Sequence, residues 1–329
     1  MSEFLLEQNS CNMLSMSCKI CPVLPLVQSV APTNKTVLIV GEKGSRKQAI
    51  AKMIHDNSKR RYGRFIIIDL QSRMKNSVEI ELFGREHVTF ISSMAQMIGK
   101  IEEANNGTIF FNEIGEMPIE LQPRLLRLIQ DKEIYRVGGT SNINVDVRII
   151  ASTSRNLEND VKLGKFRPDL FYRIDAFRIL VPPLRKCRDD IPYLANFMLK
   201  IAAENEGKPI EGFSEEALGI LMNYNWPGNM EELESVIETA VSIEETDILQ
   251  PSSLMLTFCY NENIEREKDN NGILPLEEIE KQAIIHALKV TGNNIRKTAK
   301  ALGINRATVY KKLEKYNLIT EISNNLPEA

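Results

Sequence analysis

Gly41, Gly44, Ser45 and Lys47 follow the apolar run Thr36–Val40 at the spacing of a G-x-x-x-x-G-K phosphate loop. In such a loop successive backbone N–H groups close around a phosphate while the lysine supplies a point charge. The implied chemistry is nucleotide binding, with ATP or ADP as the cofactor. One letter departs from the pattern. Arg46 stands where the second glycine belongs, and it brings a Cβ and a long side chain to a bend that glycine makes freely.

A second constellation lies near the other end of the chain. Arg306, Ala307, Thr308, Lys311 and Lys312 fall on the outer face and first turn of a short helix headed by Asn305, with Arg296 on the helix before it. The reading is Leu274–Lys289 as one helix, Ile295–Leu302 as a second, Gly303-Ile304 as a tight turn, and a third helix running to about Tyr316. Two short helices around a glycine turn make a helix-turn-helix. Ala299, Leu302, Ile304, Val309 and Leu313 are its expected core. In a DNA groove Arg306 and Thr308 would reach base edges, and Arg296, Lys311 and Lys312 would meet phosphates. Between Glu280 and Leu318 nine Lys/Arg face two acids. With a net charge of −3 for the whole chain, the remainder carries about −10. A basic module on an acidic body points to double-stranded DNA as partner.

These groups need a scaffold. The strands expected are Val37–Val40, Phe65–Asp69, Thr108–Phe111, Val147–Ala151 and Phe177–Leu180. The helices interleaved with them are Arg46–Asn57, Leu121–Asp131 and Arg167–Arg173. That alternation indicates a parallel sheet covered on both faces. From residue 188 the pattern turns wholly helical, with Ile191–Glu206, Ser214–Tyr224 (Ser214 as N-cap) and Asn229–Ser242. The division is therefore a tail at 1–20, an α/β unit at 21–187, a helical unit at 188–257, a polar linker at 258–273, the helix-turn-helix at 274–320 and a tail at 321–329.

Composition is that of an ordinary globular protein, 43% hydrophobic and 26% charged. No apolar run approaches a membrane span of about 20 residues, and the start lacks the pattern of a signal peptide, so a cytoplasmic location is expected. Cys187 and Cys259 are isolated. Cys11, Cys18 and Cys21 cluster as C-x6-C-x2-C, and without a fourth ligand they read as reduced thiols rather than a metal site.

Several longer stretches carry a resemblance. VLIVGEKGSRK, ELFGRE (81–86), ANNGTIFFNEIGEMP (104–118), LQPRLLRLIQDKEIYRVGG (121–139), VDVRIIAST (145–153), GKFRPDLFYRI (164–174), VPPLRKCRDDI (181–191) and NWPGNMEEL (225–233) resemble the AAA+ domain of sigma-54-dependent bacterial enhancer-binding proteins. The C-terminal module resembles their Fis-type DNA-binding domain. The resemblance implies an α/β fold with an AAA+ P-loop-type parallel sheet core, a helical lid subdomain and a C-terminal all-α helix-turn-helix domain. It also implies ring oligomers that hydrolyse ATP to remodel sigma-54 RNA polymerase holoenzyme. The chain resembles the short members, those without an N-terminal sensory domain.

By the same resemblance Glu113 is the water-activating glutamate, and Arg167 and Arg173 are the arginine fingers that reach a neighbour's nucleotide. Asn112 replaces the Mg²⁺-binding aspartate, which leaves no metal ligand there. Ser154 stands for the sensor-one asparagine and Glu231 for the sensor-two arginine. Val88–Ser93 stands for the GAFTGA loop that touches the polymerase, keeping only Phe90, with Ile91 in place of the contacting threonine. Five elements of one machine are altered together while the fold motifs persist. The resulting expectation is a DNA-binding regulator without effective ATP hydrolysis or standard sigma-54 remodelling, assembling as a homo-oligomer or a mixed oligomer with a related regulator. The alternatives are an active ATP-hydrolysing sigma-54 activator and a regulator that binds nucleotide without turnover.

Overall fold

The computed structural model describes residues 23–71, 75–86, 96–255, 284, 295, 298–299 and 304–315. The chain divides into two compact units, Met1–Leu256 and Thr257–Ala329. Cys11, Cys18, Cys21, the Val88–Ser93 loop, Arg296 and the 258–273 stretch lie outside the described residues.

The first unit is built on a five-stranded sheet ordered β2-β3-β6-β1-β7, with all neighbours parallel. The strands are β1 (Val37–Val40), β2 (Phe65–Asp69), β3 (Thr108–Asn112), β6 (Arg148–Thr153) and β7 (Arg178–Leu180). Among the described residues two small pairs complete the set, β4 (Glu133–Ile134) with β5 (Ile143–Asn144), and β8 (Gly212–Phe213) with β9 (Ile248–Leu249). Continuous apolar strands arise because both sheet faces are covered. On one face Leu38, Ile109, Phe111 and Ala151 meet the helices α3 (Lys75–Phe83), α4 (Lys100–Glu103), α5 (Gln122–Asp131), α6 (Leu157–Lys162) and α7 (Pro168–Ile174). On the other face Val37, Ile39, Phe110 and Ile150 pack on α1 (Val23–Val30) and α2 (Lys47–Asp56).

A helical cluster follows, made of α8 (Ile191–Glu206), α9 (Glu215–Asn223) and α10 (Asn229–Ile243). Its core centres on Trp226, fully buried, whose indole N–H donates to Leu221 O at 2.8 Å. Ser214 caps α9 by accepting from the N–H of Ala217.

Several expected boundaries shift. Helix α2 starts at Lys47 rather than Arg46, because Arg46 sits at φ 59°, ψ 35°, outside helical geometry. Strand β3 runs one residue further, to Asn112, where it pairs with Asp69. Val147 and Phe177 stand just outside β6 and β7, and β6 runs on to Thr153. Helix α7 begins at Pro168, with Arg167 as its N-cap.

In the second unit, α11 (Arg306–Lys315) packs Val309 and Leu313 against Ile284 and Ala299, with Ile295 and Ile304 alongside. Leu302 falls outside the described residues.

Candidate nucleotide site and DNA-reading helix

Because the five strands of the main sheet run the same way, the residues after their C-terminal ends line one rim of the sheet, where ligands bind in open α/β folds. Gly41 leaves β1, Asp69 ends β2, Asn112-Glu113 ends β3 and Ser154 follows β6. This rim gathers most of the nucleotide-site residues expected from sequence.

Lys47 is buried, and its ammonium makes three contacts. It donates to Gly41 O and Glu42 O, each at 3.0 Å, and pairs with Glu113 Oε1 at 3.0 Å. Of the three donors of an ammonium, two bond to loop carbonyls, and the charge is paired inside the chain by Glu113. Glu113 is also buried, and its second oxygen accepts from the Ser154 N–H at 2.8 Å and the Ser154 hydroxyl at 2.9 Å. Lysine, glutamate and Ser154 thus form a closed chain of charge-assisted bonds.

The residues at the Mg²⁺ positions do not suit that ion. Asn112 Oδ1 accepts from the Ser152 hydroxyl at 2.8 Å, and its amide nitrogen points to Asp69 Oδ1 at 3.4 Å. Gln48 occupies the place after the loop lysine where a Ser/Thr hydroxyl would meet the metal. Neutral amides at both places leave the hard dication without its usual pair of oxygens.

The lid lies directly on the loop. Gly44 has φ +73°, and a Cβ there would fall 2.0 Å from Gly228 O, so only glycine fits. Gly44 O accepts from the backbone N–H groups of Met230 and Glu231 at 3.1 and 3.3 Å, in the first turn of α10. Those donors are first-turn N–H groups with no acceptor inside their own helix, and a helix N-terminus also attracts anions. Asn229, fully buried, donates to Lys43 O at 2.9 Å and accepts from the Leu184 N–H at 2.9 Å, tying loop, hinge and lid together. Arg185 grips Glu42 through two bonds of 2.6 and 2.8 Å, and that contact holds the Glu42 carboxyl below its usual range.

Arg46 closes the set by pairing with Glu234 on α10. Burial pushes the Glu234 carboxyl up, and the Arg46 charge opposes that shift. The sequence singled out Glu231, but Glu231 is exposed and it is Glu234, one turn on, that meets Arg46. Asn229 and Gln48 were also missed as site residues. Asn229 carries a signal in sequence, since it ends a Trp-Pro-Gly-Asn turn. Gln48 was readable from loop spacing alone.

The two expected arginine fingers stand apart from this rim. Arg167 forms a two-bonded pair with Asp169 at 2.6 and 3.0 Å, and Arg173 is exposed on α7. Arg136 pairs with Glu102 at 2.7 Å and Glu86 at 3.3 Å, bracing the segment that leads into the Val88–Ser93 loop.

In the second unit Asn305 caps α11, its Oδ1 accepting from both the N–H and the hydroxyl of Thr308 at 2.8 Å. Arg306 and Lys311 are exposed and Lys312 is half-buried, while nothing is described of the Ala307 side chain. The Thr308 hydroxyl proton therefore belongs to the cap, leaving its oxygen and methyl for a partner.

The comparisons with known proteins agree with this architecture. The Sigma-54 interaction domain matches residues 13–180, the AAA+ ATPase lid domain 185–271, and the Fis family of bacterial regulatory proteins 275–316. The transcriptional regulatory protein ZraR of Klebsiella oxytoca is 40% identical over 286 residues, covering 87% of this chain and 65% of ZraR. The nitrogen fixation protein AnfA of Azotobacter vinelandii is 37% identical, covering 93% of this chain and 58% of AnfA. Among solved structures, NtrX from Brucella abortus superposes with a TM-score of 0.67 at 33% identity, covering 89% of this chain and 66% of NtrX. NtrX structures in complex with ATP and with ADP match at TM-scores of 0.66. The chain thus spans less than two thirds of these relatives' length. Fold, lid and C-terminal helix, taken with these matches, show that the chain belongs to the sigma-54-dependent enhancer-binding regulators.

Proposed function

We propose that this protein is a DNA-binding transcriptional regulator whose nucleotide site is closed by its own core–lid contacts, so that it regulates without ATP-driven remodelling of sigma-54 polymerase. The observation that carries the reading is Lys47, whose ammonium bonds two loop carbonyls and pairs with Glu113, which Ser154 holds in turn. A bound triphosphate would have to take Lys47 from these partners and displace Arg46 from Glu234. Coupling within such networks runs to about 0.5–3 kcal/mol, and each 1.4 kcal/mol is about tenfold in affinity.

The proposed partners are double-stranded DNA through α11, other copies of this chain or of a related regulator, and RNA polymerase holoenzyme in the cytoplasm. A second reading, a regulator that binds nucleotide without turnover, is favoured by the NtrX structures holding ATP and ADP. A third, an active sigma-54 activator, draws on Lys47 and Glu113 being retained. ATP binding, phosphate release and open-complex formation at a sigma-54 promoter, measured with wild type and Lys47→Ala, separate them. None of the three signals is expected above the Lys47→Ala background. Lys47-dependent release with open complexes selects the activator, and saturable ATP binding without release selects the second reading.

A further inference from the structure

At the opposite rim of the sheet, the loop before β2 reads Lys59-Arg60-Arg61-Tyr62-Gly63-Arg64, four cations in six residues with no acid among them. The fold holds this loop in place. Arg60 O accepts from the Gly63 N–H at 2.8 Å, and Arg64 O accepts from the Thr108 N–H at 2.8 Å, where β3 starts. Arg60 donates to Asp146 O at 2.9 Å and pairs with its carboxylate at 2.7 Å. Lys132 reaches the same carboxylate at 2.8 Å, so two cations share one acid, and that carboxyl is held low by Lys132 first and Arg60 second.

The outer part of the loop is left positive. Among the described residues no carboxylate lies within 4 Å of Lys59 or Arg61, and the nearest acid to Arg64 is Glu103, at 4.0 Å. Arg64 keeps 70% of its side chain exposed. Tyr62 is 88% exposed, with the Arg61 guanidinium 4.7 Å from its ring centre. A basic run of this length is a nucleic-acid pattern, and an exposed ring beside guanidinium groups is the usual stacking and phosphate-tracking surface.

We infer that the Lys59–Arg64 loop is a second DNA contact, holding the sugar–phosphate backbone of duplex that the C-terminal helix has already recruited. Charge decides between DNA and an acidic protein. The chain outside Glu280–Leu318 carries about −10, so a polyanion is repelled from most of the body and drawn to this rim. DNA held by α11 is also present at high effective concentration. The contact is to phosphates, so it adds affinity without sequence preference. It lies at the N-terminal ends of the strands, away from the Lys47 rim, so it stands whether or not the proposed loss of hydrolysis holds.

The test uses the full chain and a 60-base-pair duplex of mixed sequence, with anisotropy titrations across a range of salt. Lys59→Ala/Arg61→Ala/Arg64→Ala is expected to weaken binding at least tenfold and to lower the salt slope by about 2 to 3, from about 0.9 per lost phosphate contact. Tyr62→Ala is expected to weaken it less and leave the slope unchanged. The four substituted residues are exposed, so a melting temperature equal to wild type shows that the fold is kept. Arg306→Ala/Lys311→Ala provides the contrast, since its residual binding should vanish when the triple substitution is added. Unchanged affinity and slope in the triple variant would overturn the inference. A change in oligomer size alone, with DNA binding intact, would overturn it in favour of a protein partner.

Discussion

Arg46 occupies a left-handed backbone conformation that glycine takes freely, and for a residue with a Cβ this costs on the order of 1–2 kcal/mol. Its side chain has a compensating partner. It reaches across to Glu234 on α10, with side-chain exposures of 16% and 29%, so the pair is only partly screened by water. In a nucleotide-bound relative of this fold, lid and loop are expected to meet through phosphate; here a cation on the loop meets a carboxylate on the lid. Arg46→Ala and Glu234→Ala in a double-mutant cycle are therefore expected to show a coupling of about 1 kcal/mol or more in chemical melts. Additive effects would mean that the pair is incidental. Glu234 was not legible as a site residue, because the two partners lie 188 positions apart and nothing local marks the match.

At the scale of elements, the lid is held by small polar clusters as well as by its apolar core. Glu244, just past the end of α10, accepts from the Gln250 N–H at 2.8 Å, the Ser253 hydroxyl at 2.7 Å and the Thr246 hydroxyl at 2.8 Å. These bonds, the one from Gln250 first, lower its pKa from 4.5 to about 2. A carboxyl whose folded value is depressed stabilises the fold fully above its unfolded value and loses that effect as pH falls through the folded one. Lid stability is thus expected to decline from about pH 4.5 down toward 2, and Glu244→Gln should flatten that part of the melting-temperature profile. An unchanged profile would remove Glu244 from the account. The strands were readable because sheets buried on both faces give unbroken apolar runs such as Val37–Val40. Helix α1 is hard to read from sequence: Val23, Val27 and Val30 stand at helical spacing, but the element is only eight residues long and has a proline in its first turn. Boundaries moved where a backbone angle decided them, as at Arg46.

At the scale of the whole molecule, the proposed function parts DNA binding from ATP hydrolysis. On the proposed reading, base contacts fall to α11 and phosphate contacts to the Lys59–Arg64 loop, whereas Gly44 and Arg46 of the phosphate loop fasten lid to core. Arg306→Ala is expected to weaken operator binding by about 1–3 kcal/mol, a cost typical of losing a base contact. Lys47→Ala should leave that affinity unchanged, which equilibrium titrations of the two variants would show. The basic C-terminal helices and the phosphate-loop ancestry were both legible in sequence, because charge and spacing are local. How the lid closes on that loop was not, because it depends on contacts between distant segments such as Arg185–Glu42 and Asn229–Lys43.

The most direct test of this closure is calorimetric titration of ATP into the wild-type chain and into Arg46→Gly. The substitution restores the residue that the left-handed position favours and releases Glu234. The expected result is no saturable heat with wild type and measurable binding with Arg46→Gly, a gain of at least about tenfold, or ~1.4 kcal/mol. Tight ATP binding by wild type, lost in Lys47→Ala and not improved by Arg46→Gly, would contradict the account.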